Sequence, residues 1–123
     1  MFAKFNVTYK LFTQKTVDEL NLQSDVYYIE LSEQMGLTVP PDIFLITCEL
    51  LKNIEYNMAY DIFKNAILSI YSKFKKIQHN QMEKTEFIIS YNGIVKKIIF
   101  PFNLTEEQKD KLVNAAIEEL LKN

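Results

Sequence analysis

The chain contains no arginine and no tryptophan, one cysteine, one histidine and two glycines, set against 14 lysines. Arginine carries the planar fork that grips phosphate and carboxylate in bidentate fashion, and lysine does not reproduce that geometry. Its absence counts against an arginine finger, a paired-phosphate clamp and bidentate guanine readout. A single cysteine, Cys48, permits neither an internal disulfide nor a thiolate cluster for zinc. A single histidine, His79, leaves no multi-histidine metal centre. Gly36 and Gly93 are too few for a phosphate-binding loop or a dinucleotide fingerprint. No metal or cofactor is therefore expected. No apolar run approaches the ~18 residues that span a bilayer, and residues 1–6 lack the apolar stretch of a secretion signal, so a cytoplasmic location is the expectation. The coding bias, with 14 Ile, 14 Lys and 10 Asn, has the AT-rich look of a bacterial or phage accessory gene.

What is present suits one folded α+β domain over residues 1–123. Apolar residues make up 48% and charged residues 24% of the chain, ordinary values for a packed protein, and nine Phe with seven Tyr must fill much of the core. Phe5, Val7, Tyr9 and Leu11 alternate with polar neighbours, the period of a half-buried strand. Thr16 with Glu19 matches a capping box and predicts a short helix over 16–22. Ser24 is placed to cap a second helix with Tyr28, Leu31 and Met35 on one face and Gly36 at its end, although Val26–Leu31 also suits a strand. Pro41 can open a further helix, and Ile43–Leu51, apolar on nearly every side, fits a buried helix packed on the next one, although periodicity alone does not exclude a strand.

The second half is plainer. Ala59, Ile62, Phe63, Ala66, Ile67, Ile70, Phe74 and Ile77 recur at helical spacing, and the phase of the pattern breaks at Asn53–Asn57. Asn92-Gly93 between Glu86–Tyr91 and Ile94–Phe100 predicts a hairpin with a type I′ turn, which Pro101 ends. Thr105 and Gln108 form a capping box for a last helix, with Leu112, Val113, Ala116, Ile117, Leu120 and Leu121 inward. The order is strand, helical middle with one long amphipathic helix, hairpin, helix. Residues 84–121 are similar in outline to the C-terminal half of small nucleoid-associated proteins; the first 55 residues do not share that outline.

Two features bear on function. In the hairpin register, Phe87, Ile89, Tyr91, Ile94 and Ile98 share one face, while Ile88, Val95, Lys97 and Ile99 lie on the other, so both faces are substantially apolar. Either helices cover both faces within the monomer, or another chain meets Ile88, Val95 and Ile99, with Lys97 beside them. Charge is also segregated. Residues 16–61 hold one Lys and nine acids, whereas residues 63–97 hold seven Lys and two Glu. Lys73, Lys75 and Lys76 suit the negative end of a helix dipole, and a patch made with Lys96 and Lys97 is the sharper alternative.

No catalytic residue stands out. His79 sits in a polar connector with no nucleophile or acid near it in sequence, Cys48 sits in an apolar run, and no flanking motif supports a Cys48–His79 dyad. The expectation is a non-enzymatic protein–protein interaction module (an adaptor, inhibitor or immunity-type factor) that binds another protein or its own copy. The alternative is weak, lysine-mediated association with nucleic acid, with Lys64 as a further contributor.

Overall fold

The computed structural model describes residues 1–32, 43–77, 84–101 and 103–122. Along the chain run β1 (Ala3–Thr8), α1 (Gln14–Asn21), β2 (Tyr27–Leu31), β3 (Ile43–Leu50), α2 (Tyr56–Ile77), β4 (Lys84–Tyr91), β5 (Ile94–Pro101) and α3 (Glu106–Leu120). The five strands form one sheet in the order β2-β1-β3-β4-β5. β1 pairs in parallel with β2, and β3 in parallel with β4; the contacts β1–β3 and β4–β5 are antiparallel.

This topology dictates where the helices lie. The units β1-α1-β2 and β3-α2-β4 are parallel crossovers, for which the right-handed connection is the rule. They run in opposite directions and step toward opposite edges of the sheet, so one handedness places α1 and α2 on the same face. α3 then packs on β5 and α2, completing a single layer α1-α2-α3. The other face of the sheet has no described element against it.

Burial follows. β1 alternates strictly, with Ala3, Phe5 and Val7 buried beneath the helices. On that side the rings of Tyr9, Phe44 and Phe87 stack in a row across three neighbouring segments, with centroids 4.9 and 4.7 Å apart. Phe74 of α2 stands edge-on over Tyr9 and Phe87, at 5.2 and 5.7 Å. Phe63, about three turns earlier on the same face of α2, meets Phe5 at 5.5 Å and Tyr91 at 5.1 Å. Offset and edge-to-face ring pairs add to the burial of apolar area, beside the buried Ile, Leu and Val of the same core.

The sequence expectations hold where the signal is local. The hairpin has the foreseen register, Tyr91 opposite Ile94 and Phe87 opposite Ile98, with Asn92 and Gly93 at φ of 51° and 83°. The capping box of Thr105 and Gln108 is formed in full. α2 starts at Tyr56, within the foreseen break.

Two expectations need correction, and one open reading is decided. The chain enters β2 at Tyr27 instead of forming a helix from Ser24. The Ser24 hydroxyl accepts from the Val26 amide at 3.1 Å, which closes a turn, and the aromatic and β-branched run that follows packs as strand. Gly36 and Leu37, the foreseen end of that helix, lie outside the described residues. α1 starts two residues before Thr16, because Thr13 is the N-cap and its hydroxyl accepts from the Thr16 amide at 3.3 Å. Glu19 reaches Lys73 on α2 and takes no part in a capping box. Ile43–Leu50, open between helix and strand on sequence, is the central strand.

Candidate protein-binding face

The uncovered face of the sheet divides into two halves. Toward β2 and β1 it is polar, with Tyr28, Glu30, Lys4, Asn6, Thr47 and Glu49 in adjacent register positions. Toward β5 it is apolar: Leu45 lies opposite Ile88, and Val95 and Ile99 are 60% and 46% exposed on the edge strand. Ile43, in the row of Glu86 and Ile99, extends this half. Strand pleating produces the division, because residues two apart share a face while the intervening ones enter the core.

Four of the charges on this face are paired across strands. Lys97 Nζ lies 2.7 Å from Glu86 across β5 and β4, and Lys4 Nζ lies 3.4 Å from Glu49 across β1 and β3. The charge of Glu49 is the main cause raising the Lys4 pKa above its ordinary value. The Ser90 hydroxyl donates to Thr47 Oγ1 at 3.3 Å on one reading of the proton. Such exposed pairs contribute little to stability, ~0–1 kcal/mol each. Their effect is to leave a face whose charges, Glu30 apart, are locally neutralised, with its apolar half at the β5 edge.

Of the residues singled out from sequence, Ile88, Val95, Ile99 and Lys97 come together here. The lysines do not form one patch. Lys96 points to the helix side of β5, 3.9 Å from Glu119 of α3, whereas Lys97 points to the open side. Consecutive strand residues cannot share a face. Lys75 and Lys76 lie in the last turn of α2 beside Ser72, Glu106 and Lys109, around a cleft of about 330 Å³. Lys73 is held by Glu19, and Lys109 by Glu106 at 2.7 Å. The hydrogen bond and charge of Lys73 hold the Glu19 carboxyl below its ordinary pKa. This tie between α1 and α2 is therefore complete at neutral pH and is lost as pH falls through the lowered value. Lys64 is half-buried on α2 and lies away from this cleft.

Sequence reasoning missed Ile43 and Leu45, whose place on the open face follows once β3 is known to be a strand. It also missed Lys109, which reaches the end of α2 only through helix packing. Cys48 is buried on the helix side of β3, and desolvation pushes its thiol pKa up, so it stays protonated at physiological pH. It is expected to resist thiol reagents in the native state and to react on unfolding, which labelling against urea concentration would read; fast native labelling contradicts this. His79 lies outside the described residues. Among the described residues no group of three or more His, Cys, Asp or Glu is placed to hold a metal ion, and no helix is long and apolar enough to cross a membrane. The chain matches no protein-family model, no curated protein and no solved structure.

Proposed function

We propose that the protein is a non-enzymatic interaction module that binds another protein across the open face of its sheet, acting as an adaptor, an inhibitor or an immunity-type factor by masking that partner's surface. One observation carries this reading: Val95 and Ile99 are exposed beside Ile88 and Leu45 on a sheet whose three described helices all lie on the other side. Burying three aliphatic side chains at such a place is worth on the order of 5 kcal/mol before association costs. The polar half and the paired charges suit the polar flank of an apolar patch in such an interface. The partner this fits is a protein surface with an apolar patch and no strong charge of either sign. Lysine-mediated binding of nucleic acid has less support, since Glu19, Glu86, Glu106 and Glu119 answer four of the lysines.

The test is Val95→Asp in the full chain, with Lys76→Glu in the distant cleft as control. A protein that co-purifies with the wild type and with Lys76→Glu should be lost from Val95→Asp. The thermal melt should change little, because the position is exposed on an edge strand and a β-propensity change there costs ~1 kcal/mol or less. If Val95→Asp retains the same co-purifying protein, or unfolds the chain, the open face is not the docking surface.

A further inference from the structure

The two edges of the sheet are finished differently, and the difference identifies a second surface. At the β2 edge, one side chain occupies the backbone of the strand's middle residue. Asn21 of α1 donates from Nδ2 to the Ile29 carbonyl at 2.9 Å, and its Oδ1 accepts from the Ile29 amide at 2.7 Å. Both groups of Ile29 that face away from β1 are thus occupied, as a neighbouring strand would occupy them.

No described residue does this for β5. In a two-residue hairpin the closing pair, Tyr91 and Ile94, exchanges both hydrogen bonds, and so does every second pair from there. The backbone groups of Ile94, Lys96, Ile98 and Phe100 are therefore satisfied by β4. Those of Val95, Lys97 and Ile99 point out of the sheet. The register runs from Tyr91–Ile94 to Lys84–Pro101 without a bulge, so this edge is straight and long. Lysine and proline are the usual guards of such an edge. Here Lys97 is drawn inward to Glu86, Lys96 is turned to Glu119 on the helix side, and Pro101 stands only at the strand's end.

We propose that β5 pairs antiparallel with β5 of a second copy about a two-fold axis, joining two five-stranded sheets into one. This goes beyond the docking face, since it uses backbone groups at the edge and not the side chains above the sheet. The outward residues allow a register that places Lys97 opposite the second copy's Ile99, with the axis through the paired Ile98 positions. That register avoids Lys97 against Lys97, the like-charge pair of the symmetric alternative centred on residue 97. It also makes the two Ile99 side chains diagonal neighbours, so the apolar half of the open face continues from one copy into the other. A second copy is the occupant that the edge asymmetry favours. With the middle of the five-residue β2 edge occupied by Asn21, the pairing closes at two subunits; with both edges open it would continue into a filament.

The experiment is sedimentation velocity on the full chain over a concentration series, combined with amide hydrogen exchange. The wild type is expected to shift from 14.5 kDa to twice that mass as concentration rises. The amides of Val95, Lys97 and Ile99 should become protected in step with that shift. Lys97→Pro removes one outward donor and no bond to β4, and should abolish the dimer while the melt remains cooperative. Should that variant fail to fold, Ile99→Lys decides instead: it sets lysine opposite Lys97 at an exposed position and should also give a monomer. Val95→Asp, which faces Pro101 in this register, should leave the dimer in place, so failure of the docking face and failure of the edge pairing are separately visible. A wild type that stays monomeric throughout, or a dimer that survives Lys97→Pro or Ile99→Lys, overturns the proposal.

Discussion

Phe44→Ala is expected to cost about 3–5 kcal/mol, the range for removing a fully buried phenylalanine. Its ring is wholly buried, stacked between Tyr9 and Phe87 and met edge-on by Phe12 at 4.9 Å. A domain of this size holds only about 5–15 kcal/mol in total, so the variant should be largely destabilised and its melting point lowered by about 10–20 °C. Leu45→Ala, one residue on, is the informative companion. Its side chain lies on the open face, half-buried by strand neighbours alone, and its loss should cost roughly 1 kcal/mol. Urea titration of both variants reads the contrast. Equal losses would mean that the open face is core, and that the sheet is covered on both sides in the folded chain.

That contrast also explains which elements were legible in the sequence. α2, α3 and the β4–β5 hairpin announce themselves through local signals: a stripe of one period, a capping box, and Asn-Gly flanked by β-formers. β3 does not, because Ile43 and Leu45 are apolar on the side where an exposed strand would be polar. The alternation is erased by the same residues that make the face a docking candidate. β2 is five residues long and follows a serine that can start either a turn or a helix; the parallel pairing with β1 decides it, and that is a long-range fact. The candidate face was half legible. Ile88, Val95 and Ile99 follow from hairpin register, whereas the placing of α1 and α2 on the opposite face follows only from the handedness of two crossovers. The lysines misled for a simple reason. Adjacency in sequence suggested one patch, but the pleat sends Lys96 and Lys97 to opposite sides.

Nothing in the sequence marks Asn21, and its substitution is the sharpest test of how the sheet ends. The residue closes α1, where asparagine is unexceptional, yet its amide is the only described partner of the Ile29 backbone outside β1. Asn21→Ala deletes an acceptor and a donor together. The freed groups lie at a partly buried edge, so each loses a bond that water can restore only in part, and about 2 kcal/mol of stability should be lost. Asn21→Asp keeps the acceptor for the Ile29 amide but sets a carboxylate against the Ile29 carbonyl, and it should not recover the loss at neutral pH. The larger consequence concerns assembly. With the β2 edge open as well as β5, each subunit offers two strand edges, and closed pairs should give way to higher oligomers or precipitate as concentration rises. Light scattering alongside a thermal melt reads both effects in one sample. A variant as stable as the wild type, with an unchanged mass distribution, would show that the Asn21 amide does not seal this edge, and with it would go the argument that assembly stops at two.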